Sequence, residues 1–250
     1  MQDRTIVVDN FYANPGAVRE RALRSQYADI SPTDYPGFGS RTTIDAQSLR
    51  RRFAELVGGE LNVDTARFTW GGFRFITEAS ARESKVHADT AVDWAGMVYL
   101  TPNAPMSAGT GFFRHRLSGF EAPPSDRQAR ALGYCDAAQF DDAVIRQDKA
   151  DFSKWELIGQ VEPVYNRLVL FRGCEQYHAP LGGCGDSPRT ARLTHIFFFN
   201  VVPDPGVPAH RIPDRALVQE GLGSDGERGY AGEPANTAGH HAAGVRRDRL

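Results

Sequence analysis

Hydrophobic and polar positions change period several times along this chain, and each change marks an element. Thr5-Ile6-Val7-Val8 is a β-branched run that suits a short strand. Asn14-Pro15 then opens a helix, with asparagine as cap and proline in the first turn. Ala17, Val18, Ala22 and Leu23 form its apolar face. Pro32, Pro36, Gly37 and Gly39 mark residues 31–42 as loop. Asp45 is placed to cap a second helix, in which Leu49, Phe53, Leu56 and Val57 recur at helical spacing until Gly58-Gly59 stops it. Residues 68–77 turn aromatic and β-rich.

The second half reads as strands punctuated by glycine turns. Residues 94–101 form a buried-looking strand that ends at Pro102, and residues 109–115, 166–172, 177–180 and 189–200 supply the others. Residues 116–160 break the pattern. They are polar, with helical fragments at 126–132 and 141–147, and are expected to be an insertion hanging over the open end as a lid or recognition segment, or a dimer contact, with a plain surface excursion as the equal alternative. After Asn200 the composition shifts to proline, then to glycine, alanine, aspartate and arginine with almost no large apolar side chains. Such a segment buries too little surface to offset its ordering entropy, so residues 202–250 are expected to form a mobile tail. His240-His241 falls there and is read as incidental.

Composition bounds the rest. With 41% hydrophobic residues, residues 1–201 are enough for one domain: a strand and helices over 1–67, then a β core over 68–201. The formal charge of −2, from 29 basic and 31 acidic residues, and the lack of a long basic run exclude nucleic acid as the expected partner. No apolar run is long enough to cross a bilayer, and no apolar signal segment follows Met-Gln-Asp-Arg, so the expectation is cytoplasmic residence away from membranes. The three cysteines, Cys135, Cys174 and Cys184, are odd in number and form no CxxC pair, as expected of reduced thiols.

The chemistry concentrates at His87-Ala88-Asp89. Residues two apart on an extended strand face the same way, so His87 and Asp89 can grip one ion, with His178 brought in by a later strand. Two imidazoles and one carboxylate on one face of a metal leave the opposite positions open, the facial triad of non-haem Fe(II) oxygenases. Alternation along the last strand sets Arg192, Thr194, Ile196 and Phe198 on one face. Leu193, His195, Phe197 and Phe199 take the other, against the helices, which makes His195 a packing residue. Arg189, a competitor for the role of Arg192, lies on the wrong face by parity.

Strand, glycine turn and strand, repeated around His87-Ala88-Asp89 and His178 and followed by Arg192-Leu193-Thr194, resembles the 2-oxoglutarate-dependent Fe(II) dioxygenases. The resemblance is to their prolyl-hydroxylase-like branch and covers roughly residues 68–201. It implies a mainly β fold with flanking helices: a double-stranded β-helix core of jelly-roll or cupin-like type, packed against the N-terminal helices. It implies Fe(II) on His87, Asp89 and His178, with 2-oxoglutarate and O2 as cosubstrates. Arg192 would pair with the far carboxylate of 2-oxoglutarate through its planar fork, and Tyr99 would hydrogen-bond the same group. Thr194 belongs to the same motif, and Thr77 stands where the family often has a cosubstrate tyrosine. The fourteen-residue step from His178 to Arg192 is longer than usual in the branch, and residues 181–188 look like the insertion responsible. Because Asp89 is present, hydroxylation fits better than halogenation, for which the family replaces the carboxylate. The expected substrate is a small molecule, a free or carrier-bound amino acid or a peptide-derived natural product, taken by a monomer or homodimer. Two other classes stay open: a zinc-type metallohydrolase or isomerase on a similar barrel, and a non-catalytic metal-binding sensor.

Overall fold

The β-branched run forms strand β1 (Thr5–Val8) in this computed structural model, which describes residues 4–30 and 35–202. The expected tail with His240-His241 lies outside the described residues from residue 203 onward. In helix α1 (Pro15–Leu23) the Asn14 side chain accepts from the Ala17 amide at 3.0 Å, satisfying one of the free amides of the first turn. Strands β2 (Tyr27–Asp29) and β3 (Phe38–Thr43) follow. The second corrects the expectation of loop through residue 42: Phe38, Thr42 and Thr43 favour extended backbone, and Gly37 turns into it at φ 96°.

Helix α2 (Gln47–Val57) is capped at Ala46 and not by Asp45. Asp45 instead pairs with Arg50 at 2.6 Å and accepts from Trp70 Nε1 at 3.0 Å; charge-assisted bonds outcompete a backbone amide for that carboxylate. Gly58 ends α2 in the left-handed region at φ 69°. Then come β4 (Leu61–Asn62), β5 (Trp70–Ile76), β6 (Trp94–Tyr99) and β7 (Thr110–His115). Two short helices, α3 (Asp126–Ala131) and α4 (Ala137–Phe140), lead to β8 (Trp155–Val161), β9 (Leu168–Phe171), β10 (Tyr177–Pro180) and β11 (Arg192–Val201).

The strands make two antiparallel sheets. The larger runs β1-β9-β6-β11-β5-β3-β2, with β4 also on β11; the smaller runs β10-β7-β8. This is a mainly β, double-stranded β-helix. On the outer face of the larger sheet, Phe73, Phe75, Leu193, Phe197 and Phe199 pack against Ala22 and Phe53 of the two helices. Phe53 is fully buried, its ring centroid 4.6 Å from that of Phe197 and 5.3 Å from that of Trp70. Between the sheets lie Ala95, Tyr99, Phe112, Val169 and Phe171.

The excursion expected over 116–160 is shorter, because residues 155–161 form β8 and pair with β7. What remains packs behind the smaller sheet. Ala129, Phe140, Val144 and Ile145 cover Phe113, Trp155, Tyr177 and Ala179, whose parity is opposite to that of the inward Phe112 and His178. Buried His115 anchors this segment, with Nε2 on the Asp148 carboxylate at 2.9 Å and Nδ1 on Ser118 Oγ at 2.9 Å. Among the described residues no helix is long and apolar enough to cross a membrane.

Candidate metal centre

His87 and Asp89 sit in the segment between β5 and β6, held by a local bridge in place of a full strand. His87 N donates to His178 O at 3.0 Å and His178 N returns to His87 O at 2.8 Å. This reciprocal pairing puts both side chains on the same face, and Asp89 N donates to Gly173 O at 3.0 Å to bring the carboxylate alongside. His87 Nε2 lies 3.9 Å from Asp89 Oδ1 and His178 Nε2 lies 3.7 Å from Asp89 Oδ2. One donor atom from each of the three residues falls within 4.8 Å of the others.

The surroundings set the protonation of each donor. His87 Nδ1 contacts Lys85 O at 3.0 Å and His178 Nδ1 contacts Gln176 O at 3.0 Å. A carbonyl only accepts, so each Nδ1 carries the hydrogen and each Nε2 presents its lone pair inward. Burial pushes both imidazoles down to about 4, with the neighbouring His178 also lowering His87, so both are neutral near pH 7. Burial raises the Asp89 carboxyl, opposed by His87 and by the Tyr35 hydroxyl at 3.4 Å. Asp89 Oδ2 is buried and accepts no hydrogen bond. An acceptor left bare in that way, facing two imidazole lone pairs, fits a cation. The donor set suits a divalent transition metal.

Arg192 lines the same cavity, which measures ≈ 40 Å³, room for about three waters. The side chain is buried; its Nε donates to Ala108 O at 2.7 Å and its Nη2 to Thr110 Oγ1 at 3.2 Å. The guanidinium stands 5.2 Å over the Tyr99 ring, and the Tyr99 hydroxyl meets Thr110 Oγ1 at 2.7 Å. Arg192 Nη1 donates to no described residue. Thr194 also lines the cavity, with Oγ1 donating to Arg74 O at 3.3 Å. Arg189 is exposed. His195 faces the helices as expected, between the Tyr12 hydroxyl at 2.7 Å and Gly71 O at 3.0 Å.

Neither Thr77 nor Tyr99 lines the cavity: the Thr77 hydroxyl is engaged at 3.0 Å with both the Ser80 hydroxyl and the Ser80 amide, and the Tyr99 hydroxyl with Thr110. A Thr-x-x-Ser spacing at the head of a turn satisfies itself. No residue of 116–154 lines this cavity either. The smaller sheet stands between that segment and the cavity.

Three residues escaped sequence reasoning. Thr110 links Arg192 to Tyr99. Tyr35 turns its ring edge-on to His87 at 5.3 Å between centroids. Arg74 points inward from β5, opposite Thr194, with Nε and Nη2 both on Pro36 O at 3.0 and 2.7 Å and the guanidinium 5.4 Å over Tyr35. Burial, then the Arg192 charge, pulls the Arg74 guanidinium down to about 9. A lone arginine among Trp70, Phe73, Phe75 and Ile76 was the available signal. The cavity thus carries two guanidinium groups against one carboxylate, and its field favours anions beside the three metal-type donors.

Two solved structures resemble the chain at low identity. A prolyl hydroxylase from Trichoplax adhaerens, in complex with a hypoxia inducible factor oxygen degradation domain peptide, is 10% identical, with a TM-score of 0.43 over 78% of this chain and 83% of that one. HygX from Streptomyces hygroscopicus, with nickel, 2-oxoglutarate and hygromycin B bound, is 12% identical, with a TM-score of 0.39 over 78% and 82%. No curated protein matches. One family model matches residues 1–199, most of the chain, and the protein therefore belongs to that family, described as a family of unknown function (DUF6445).

Proposed function

We propose that the chain is an Fe(II)- and 2-oxoglutarate-dependent oxygenase that oxidises a C–H bond of a small amino-acid-like or natural-product substrate. The observation that carries this reading is the convergence, in one cavity, of His87 Nε2, His178 Nε2 and the bare Asp89 Oδ2 with the buried, cavity-lining Arg192. His87, Asp89 and His178 would hold the iron. Bound iron and 2-oxoglutarate supply the oxidising chemistry: one O2 converts the 2-oxo acid to succinate and CO2 and leaves one oxygen atom for the substrate, as a hydroxyl when the outcome is hydroxylation.

The protein's own residues bind and orient. The Lys85 and Gln176 carbonyls keep each imidazole in the tautomer that presents Nε2. Arg192, braced by Ala108 O and Thr110, offers a positive fork at a set distance from the triad, suited to the far carboxylate of 2-oxoglutarate. Tyr99 supports that fork from below through Thr110. Phe171, Ile196 and Phe198 give the cavity an apolar wall that limits water. A zinc hydrolase or a metal sensor on the same donors leaves the buried Arg192 without a purpose.

The test is an anaerobic titration of metal-free protein with Fe(II) and then 2-oxoglutarate, followed by visible absorbance. A metal-to-ligand charge-transfer band in the wild type, lost in Asp89→Ala and His178→Ala, is the expected result. Folded, metal-binding protein that gives no band would overturn the assignment in favour of the zinc or sensor alternatives.

A further inference from the structure

Arg74 is a half-buried charge with little to balance it among the described residues. It sits on a strand whose other described side chains are apolar, inside the cavity of the triad, and no described carboxylate forms an ion pair with it. Its only hydrogen-bond acceptor among the described residues is the Pro36 carbonyl, which takes both Nε and Nη2; Nη1 donates to none of them. A half-buried guanidinium with one neutral acceptor is poorly compensated, and an anion is the natural remedy.

Its position says which anion. The β5–β11 register sets Arg74 opposite Thr194 and Ile76 opposite Arg192, so the two arginines stand on adjacent rows of one sheet face. Their environments differ. Arg192 is braced by Ala108, Thr110 and Tyr99, whereas the Arg74 guanidinium stands over Tyr35, whose ring is edge-on to His87 and whose hydroxyl donates to Asp89 Oδ1. One guanidinium therefore stands beside Thr110 and Tyr99 and the other beside Tyr35, next to the metal donors.

We propose that Arg74 is a second anion-binding residue for the cosubstrate: it pairs with the carboxylate next to the keto group, while Arg192 takes the far carboxylate. The site is then a two-arginine cradle for a 2-oxo dicarboxylate. The inference rests on the 2-oxoglutarate reading above. The ≈ 40 Å³ cavity is smaller than a five-carbon dicarboxylate, so entry requires lining side chains to move, Arg74 exchanging the Pro36 carbonyl for the carboxylate. That exchange replaces a neutral acceptor by a charged one.

The experiment is isothermal titration of the whole chain, loaded with redox-inert Ni(II), with 2-oxoglutarate and with 2-oxobutyrate, which keeps the keto acid but lacks the far carboxylate. Wild type, Arg74→Gln, Arg74→Lys and Arg192→Gln are compared, with circular dichroism and Ni(II) stoichiometry as checks on folding and metal loading. Arg74→Gln should weaken both ligands by about ten- to hundred-fold, the loss of one charge-assisted contact. Arg74→Lys should recover part of that loss. Arg192→Gln should weaken only 2-oxoglutarate. Unchanged affinity of Arg74→Gln for both ligands, beside a wild type that binds, overturns the Arg74 assignment and leaves the cofactor reading standing. A wild type that holds Ni(II) yet binds neither ligand overturns both.

Discussion

Replacing Gly173 by alanine should disable the metal centre without touching a metal donor. A Cβ built on Gly173 would overlap Asp89 Oδ2 and stand 2.8 Å from the carboxylate carbon and 3.1 Å from Asp89 Cβ. Carbon atoms rest at about 3.5–4.0 Å, so the carboxylate carbon has to retreat by roughly 0.7 Å or more. Metal–ligand distances tolerate only about ±0.2 Å, and disturbing a residue behind a ligand typically costs about 10–100-fold in affinity. Here the ligand itself is displaced, so a loss at the upper end, about 100-fold, is expected. The fold should survive: overpacking costs about 1–3 kcal/mol if Asp89 stays and less if its side chain swings away. The assay is competition for Ni(II) or Zn(II) against a chromophoric chelator, with circular dichroism as the check on folding. In an Asp89→Ala background the methyl group meets no carboxylate, and adding Gly173→Ala should change affinity little. Wild-type affinity in Gly173→Ala would refute the reasoning, because it would mean that the Asp89 carboxylate is not held at the metal by this close approach.

Three further outcomes can be checked directly. Burial depresses His195 to about 4, against 6.5 for an unperturbed histidine, so its contribution is fully present above pH 6.5 and is lost as pH falls toward 4; urea titrations should show an acid loss on the order of 3 kcal/mol, flattened in His195→Gln. Arg192→Lys should weaken 2-oxoglutarate about ten-fold or more in the same Ni(II) titration while leaving metal affinity intact, because a point charge cannot reproduce the fork. Phe53→Ala should destabilise the fold by about 3–5 kcal/mol in denaturant melts, since it opens a void among Trp70, Phe197 and Phe199.

Where one period dominated, the sequence was legible. In β11 strict alternation separated Arg192 and Thr194 from His195 and Phe197, and the structure places them on opposite faces. The α1 cap and the Gly58 stop were equally readable, because each depends on one residue's local chemistry. Long-range pairing was not. β8 hides in a polar stretch because its exposed positions mask the alternation, and only β7 beside it reveals it as a strand. Arg74 was concealed by its aromatic neighbours, whose packing against the helices suggested a purely structural strand. Tyr35 reaches the site from a segment whose proline and glycine content announced only a turn. Thr77 was placed by analogy of position, and a hydroxyl three residues away claimed it first.

The reciprocal bonds between His87 and His178 tie together stretches that are far apart along the chain. Roughly 90 residues separate the paired donors His87 and Asp89 from His178, and closing a loop of that length costs about 4.6 kcal/mol of chain entropy. An ion held on both sides would act as a removable cross-link across that loop, which contains β6 to β9. Chelation should then loosen β7, β8 and β10 first, exposing the helical segment behind them to proteases. The larger sheet has its own aromatic stack around Phe53 and would keep its shape with or without the ion.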